Sequence, residues 1–147
     1  MKPNLLGCSM GITKVTVIGA GTMGAGIAQV CAQAGWQTTL YDAYPEGLDR
    51  GMKRIDAFWD KGIARGKTTA EQKRQWSENL TAEQDLSKAV NKCDLVIEAV
   101  PEILELKQKI FQELEQYCSR QTIFATNTSS LSIAKIAQGM DNPGNLI

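Results

Sequence analysis

Two groups of residues in this chain have the types and spacing to handle a ligand. The first is a glycine-rich turn, Gly19-Ala20-Gly21-Thr22-Met23-Gly24, set between a β-branched run (Val15 to Ile18) and a stretch of helix formers. Glycines at this spacing let backbone N–H groups approach an anion, because no Cβ stands in the way. The second is FATNTSSLS, residues 124 to 132, which starts as a buried strand and then breaks into Asn127, Thr128, Ser129 and Ser130. Four such side chains either cap the next helix or present hydrogen-bonding groups to a ligand. Glu98 is a third oddity, a carboxylate inside the apolar run Asp94 to Val100. It reads as a structural residue, paired or at a strand edge.

The elements that must position these groups follow from periodicity. Val15 to Ile18, Gln37 to Tyr41, Asp94 to Val100 and Thr122 to Thr126 read as strands, and Leu80 to Leu86 has room for another short one. Met23 to Ala34 reads as a helix that stops at Gly35. Pro45 opens a long helix to about Ala64, with Leu48, Met52, Ile55, Trp59 and Ile63 recurring at helical spacing and Phe58 beside them. Thr69 and Gln72 form a capping box for a further helix through Trp76. Ile103 to Cys118 is amphipathic, with Ile103, Leu106, Ile110, Leu114 and Tyr117 on one stripe. A short helix is expected from Ser132 to about Met140. Alternating strands and helices require right-handed βαβ crossovers and a parallel sheet.

Composition narrows the classes. The chain has 147 residues, enough for one domain. It balances 16 basic against 16 acidic residues, which argues against a dedicated nucleic-acid binder or a polybasic membrane protein. No apolar run approaches the roughly 18 to 20 residues of a spanning helix. Leu5-Leu6-Gly7-Cys8 resembles a lipoprotein cleavage box, but too little apolar sequence precedes it for a signal peptide. Residues 1 to 13 read instead as a flexible leader before a domain spanning 14 to 147. Cys8, Cys31, Cys93 and Cys118 form no C-x-x-C pair and the chain has no histidine, so a zinc site is not expected. The cysteines read as reduced and mostly buried, which suits a cytoplasmic protein.

The glycine turn lies between a strand and a helix, and Asp42 ends the second strand 18 residues after Gly24. That is the dinucleotide-binding fingerprint in its proper context. Gly19 permits the turn, Gly21 admits the diphosphate, and Gly24 lets helix and strand close up. Asp42 suits the adenosine ribose hydroxyls and would repel a 2′-phosphate. Ala43 and Tyr44 follow it with no arginine to neutralise one, so NAD is expected over NADP. FAD proteins use the same turn.

The segments GAGTMGAGIAQVCAQAG, DLVIEAVPE and IFATNTSSLSI occur in this order and spacing, and together they resemble the 3-hydroxyacyl-CoA dehydrogenase family from Lys14 to Ile147. The resemblance implies a Rossmann-type, doubly wound, mostly parallel α/β sheet with a helical hairpin insertion. It implies NAD as cofactor and an acyl-CoA thioester as substrate. Thr22 and Met23 join the glycines at the diphosphate. Ala99, Val100 and Glu102 match a segment beside the cofactor, and Lys107 matches a lysine near its nicotinamide half. Ser129 matches a serine near the substrate's 3-oxygen and the cofactor, and Asn127 a neighbouring asparagine. Arg65 matches a basic position for coenzyme A, within a modestly basic surface made with Arg50, Lys53, Arg54 and Lys61. A second coenzyme A contact, often serine, falls here on Phe58. Glu102 and Lys107 also have plainer readings, as a dipole partner of the next helix and as solvated helix surface.

The family's base is a histidine in a strand that would continue about three residues past Ile147, and its helical C-terminal domain is absent from these residues. The chain is therefore expected to be a fragment that binds NAD and turns over poorly, the whole protein being a homodimer. The alternative is a stand-alone NAD-binding module that works with a partner chain. Asn145-Leu146-Ile147 reads as the start of that strand, an apolar edge through which the fragment is expected to self-associate.

Overall fold

The computed structural model describes residues 11–147. Five short strands build one sheet: β1 (Lys14–Ile18), β2 (Gln37–Tyr41), β3 (Leu80–Glu83), β4 (Leu95–Glu98) and β5 (Ile123–Thr126). Their order is β3-β2-β1-β4-β5 and every pairing is parallel. The chain thus winds outward from β1 in both directions, as the alternation of strands and helices requires. No helix among the described residues is long and apolar enough to cross a membrane.

Because side chains alternate along a strand, β1 serves two apolar clusters. Val15 and Val17 join Leu40 and the small face of α1 (Thr22–Gln33), made of Ala25, Ala28 and Ala32. Leu48, Ile55 and Trp59 from α2 (Pro45–Ala64) complete that cluster, while Phe58 stays exposed. The Trp59 indole N–H donates to Gln33 Oε1 at 3.0 Å, so its polar atom is satisfied. Ile18 joins the second cluster with Val96, Phe124, Phe111 and Leu114, the last two from α5 (Leu104–Tyr117).

The insertion is the expected pair of helices. α2 is followed by α3 (Ala70–Glu78), and Thr69 and Gln72 form a reciprocal capping box. A four-residue helix, α4 (Leu86–Ala89), was not anticipated; Asp85 caps it by accepting from the Ser87 and Lys88 N–H groups. The α5 stripe also differs from expectation. Ile103 and Tyr117 are exposed, and the buried positions are Lys107, Phe111 and Leu114. A buried lysine breaks the apolar pattern on which the reading relied. The next helix, α6 (Ile133–Ile136), is shorter than expected and is capped by Ser132.

Residues 1–10 of the expected leader, Cys8 among them, lie outside the described residues. Packing starts by Ile12, which is buried, and the Thr13 N–H donates to Asp94 Oδ2 at 3.0 Å. Cys31 and Cys93 are buried free thiols and Cys118 is half-buried. Burial pushes Cys31 up to about 11 and Cys118 to about 12, so neither is a nucleophile at neutral pH. Past a 3-10 turn at Pro143–Asn145, Leu146 forms a parallel bridge to Phe124, and the Ile147 N–H donates to the Phe124 carbonyl at 2.8 Å.

Phe111 is fully buried and its ring tilts against Phe124 at 5.9 Å between centroids. Phe111→Ala is expected to lower unfolding free energy by about 3–5 kcal/mol in chemical denaturation. A loss below about 1 kcal/mol would show that α5 is not anchored to the sheet through this ring.

Candidate functional site

β1 ends at Ile18 and the chain turns at once on Gly19, whose φ is +105°. The Gly19 N–H donates to the Tyr41 carbonyl and the Ala99 N–H to the Ile18 carbonyl, both at 2.8 Å. The ends of β1, β2 and β4 are thereby joined. β1 and β4 are the neighbours between which the winding reverses, the place where open parallel sheets bind ligands. A Cβ on Gly24 would lie 1.7 Å from the Gly19 carbonyl oxygen, so only glycine lets α1 start this close to the strand.

Gly21 is the N-cap of α1 and gives no side-chain cap, and the first turn holds no acidic residue. The helix therefore starts with N–H groups that no side chain has claimed. A Cβ at Gly21 would meet no atom within 4 Å. The turn leaves open space in front of unclaimed donors at the positive end of a helix dipole, which fits a diphosphate. Thr22 and Met23, both exposed, follow at the same end.

Asp42 stands beside this turn. Its Oδ2 accepts from the Ala20 N–H and its Oδ1 from the Tyr44 N–H, each at 2.9 Å. The two bonds fix the carboxylate and leave further acceptor sites on each oxygen for ribose hydroxyls. It lines a cleft of about 300 Å³ with Ala20, Gly21, Thr22, Tyr44, Gly47, Arg50 and Arg54. The sequence reading grouped Arg50 and Arg54 with the coenzyme A surface, and the structure places them in the Asp42 cleft. Arg50 and Arg54 come to it from α2, not from the residues after Asp42. Their signal was in the sequence: Gly47, Arg50 and Arg54 share a helix face, offset from the buried Leu48 and Ile55.

The other half of the edge is held by a buried ion pair. Glu98, the last residue of β4, is fully buried. Its Oε2 accepts from Lys107 Nζ at 2.6 Å and from the Val100 N–H at 2.7 Å, and its Oε1 accepts from the Thr126 hydroxyl at 2.6 Å. Lys107, 1% exposed, also donates to the Val100 carbonyl at 3.3 Å and lies 3.3 Å from Glu102 Oε1. Lys107 is thus not solvated helix surface. It reaches the edge through Glu98, Glu102 and Val100.

Glu102 extends the network to the polar run after β5. Its Oε2 accepts from the Ser129 N–H at 3.3 Å and the Ser130 hydroxyl at 3.2 Å. The Thr128 hydroxyl, the Ser129 N–H and the Lys107 ammonium hold its carboxyl below the ordinary range. Thr128 Oγ1 accepts from the Leu131 N–H and Ser132 Oγ from the Lys135 N–H. Thr128, Ser130 and Ser132 are therefore scaffolding, as the capping reading allowed. The Asn127 and Ser129 side chains are exposed and have no hydrogen-bond partner among the described residues. Asn127 is placed by its N–H, which donates to the Glu98 carbonyl at 2.8 Å.

Arg65 is not brought to this edge. It is the C-cap of α2, a 20-residue helix that opens next to Asp42, so it lies about 30 Å along the helix from that end. The sequence reading missed Thr126, which faces the one buried carboxylate in the sheet. A threonine ending a strand carries little signal until its neighbour in the sheet is known.

Removing one partner of a buried pair strands the other charge. Lys107→Met is expected to cost about 3–5 kcal/mol of stability by chemical denaturation, and adding Glu98→Gln is expected to recover part of it. A Lys107→Met chain as stable as the original would contradict the pairing. Glu102 works the other way in pH. Its lowered value means its contribution is complete above the ordinary carboxylate value of 4.5 and fades as pH falls through the lowered one. Carboxyl chemical shifts of Glu102 that titrate above 4.5 would contradict the contacts with Ser129 and Lys107.

Comparison with known proteins bears on the family and the fold. The family described as "3-hydroxyacyl-CoA dehydrogenase, NAD binding domain" matches residues 14–147. The chain is 45% identical over 132 residues to 3-hydroxyadipyl-CoA dehydrogenase of Escherichia coli (strain K12), covering 90% of this chain and 28% of that one. It is 37% identical over 138 residues to a probable 3-hydroxybutyryl-CoA dehydrogenase of Bacillus subtilis, covering 94% and 48%. The crystal structure of 3-hydroxybutyryl-CoA dehydrogenase from Escherichia coli K12 superposes with a TM-score of 0.88 at 44% identity, covering 92% of this chain and 28% of that one. The chain thus spans between about a quarter and a half of the length of these relatives. With a glycine turn, an acidic strand end and a polar run on one sheet edge, the chain belongs to the 3-hydroxyacyl-CoA dehydrogenase family and matches its NAD-binding domain.

Proposed function

We propose that this chain is the cofactor-binding part of an enzyme that interconverts 3-hydroxyacyl-CoA and 3-ketoacyl-CoA. The observation that carries the reading is the pair of unengaged side chains, Asn127 and Ser129, on the same edge as the glycine turn. Bound NAD supplies a hydride acceptor for the alcohol carbon of the substrate. The chain's own residues hold and orient. The N–H groups at Gly21, Thr22, Met23 and Gly24 take the diphosphate. Asp42 accepts from the adenosine ribose and disfavours a 2′-phosphate. Ala99 and Val100 form the wall at the end of β4, kept in place by Glu98, Lys107 and Glu102. Ser129 and Asn127 hydrogen-bond the substrate's 3-oxygen. Arg65, out on α2, takes a coenzyme A phosphate.

Oxidising a secondary alcohol also needs a base for the hydroxyl proton, worth roughly 10²–10⁴-fold in rate. These 147 residues contain no histidine. The base is supplied from outside them, and the chain by itself binds cofactor with little turnover. The whole protein is proposed to be a cytoplasmic homodimer. For this chain alone, Leu146 and Ile147, paired beside β5, offer an edge for self-association.

Titrated by calorimetry, NADH is expected to bind at least about tenfold tighter than NADPH, a difference of about 1.4 kcal/mol. Tighter NADPH binding would contradict the role of Asp42. Mixed with NADH and acetoacetyl-CoA, the chain is expected to consume no NADH above background. Fusing the remainder of the Escherichia coli relative after Ile147 is expected to restore reduction. A fusion that folds and binds NADH, yet reduces no 3-ketoacyl-CoA, would end the reading.

A further inference from the structure

Gly51 brings α2 against the glycine turn. A Cβ there would lie 2.7 Å from the Ala20 carbonyl oxygen, so the two backbones meet with no side chain between them. Arg50 precedes this contact and Arg54 follows it one helical turn on, and both line the Asp42 cleft. Arg54 Nη1 donates to Thr22 Oγ1 at 2.9 Å. Thr22 is the first residue of α1, so the guanidinium stands at the helix end where the unclaimed N–H groups are.

Among the described residues neither Arg50 nor Arg54 forms a salt bridge, whereas Lys53 between them pairs with Asp49 at 2.9 Å. Asp42, the acid that lines the cleft, is held instead by two backbone N–H groups. A guanidinium has five N–H donors in a fixed fork, and Arg54 uses one of them on Thr22. What remains is a planar set of donors on a side chain that lines the cleft, and such a fork suits phosphate oxygens.

We propose that Arg54 is a further binding residue for the dinucleotide, lying over its diphosphate from the α2 side. This rests on the reading of the glycine turn as the diphosphate site, and it adds a side-chain cation to a site otherwise built from backbone N–H groups. The Thr22 hydroxyl holds the guanidinium in place before the ligand arrives, which lowers the entropy lost on binding. Asp42 then selects at the ribose while Arg54 contributes affinity at the phosphates, a group NAD and NADP share.

The test is calorimetric titration of ADP-ribose and of adenosine into the chain and into Arg54→Met and Arg50→Met. Both positions are exposed on a helix surface, and unchanged far-UV circular dichroism and Tm establish that each variant folds. Arg54→Met is expected to weaken ADP-ribose about tenfold, as loss of a charge-assisted contact should, and to leave adenosine unchanged. The dependence of ADP-ribose affinity on salt should also flatten. Arg54→Lys, which keeps the charge without the fork, should fall between. Equal ADP-ribose affinity in the original chain and Arg54→Met overturns the assignment and leaves the glycine-turn reading standing. So does an equal loss in Arg50→Met, which would reduce the effect to the charge of the cleft. Failure of the original chain to bind ADP-ribose overturns the glycine-turn reading and the assignment together.

Discussion

At the end of β4 a carboxylate and an ammonium meet with both shut off from water, and the candidate site is arranged around that contact. Moving two charges out of water costs several kcal/mol each, and an apolar pair of the same volume is often as stable. The Glu98–Lys107 pair is therefore not explained by stability. Its effect is geometric. Glu98 takes three donors, from Val100, Thr126 and Lys107, so it fixes the exit of β4, the end of β5 and one face of α5 at a single point. Lys107 passes that order on to Glu102, which in turn holds Ser129 and Ser130 by their N–H and hydroxyl.

The first half of the edge is built on the opposite principle. Around the glycine turn the structure removes side chains, so that backbone can meet backbone and N–H groups can meet a ligand. Gly24 against Gly19 sets how close α1 comes to β1, and Gly51 against Ala20 does the same for α2. Close approach is what lets charges from three elements share one small cleft: the dipole of α1, the carboxylate after β2 and the arginines of α2. One half is thus shaped by what has been taken away, the other by a network in a molecule where, among the described residues, every buried side-chain polar atom has a hydrogen-bond partner.

Most of the fold was legible because its signals are local. β-branched runs, a capping box and Gly35 mark strands and helix ends without reference to distant residues, and the order of elements then dictates a parallel sheet. The glycine turn with Asp42 was legible for the same reason. What failed was whatever depended on a neighbour remote in sequence. Lys107 lies among Leu104, Leu106 and Ile110, and nothing in the helix itself says that the lysine faces inward; its partner is nine residues away in a strand. The stripe drawn through Ile103 and Tyr117 was misplaced for that reason, since the true stripe runs through a charged residue. Arg50 and Arg54 read as part of a basic helical surface for coenzyme A because nothing local to α2 shows that it folds back over the glycine turn beside Asp42. Arg65 lies at the other end of α2 from the cleft, so its proposed contact with coenzyme A concerns a surface apart from this edge.

The central claim is that a pre-built edge receives the dinucleotide without breaking the buried pair. A crystal structure of the chain with NADH bound tests it most directly. The account predicts the diphosphate against Gly21 to Gly24, the adenosine ribose on Asp42, the nicotinamide beside Ala99, Val100 and Ser129, and Lys107 still bonded to Glu98. A dinucleotide seated elsewhere on the chain, or a Lys107 that has left Glu98 to reach the cofactor, would contradict it.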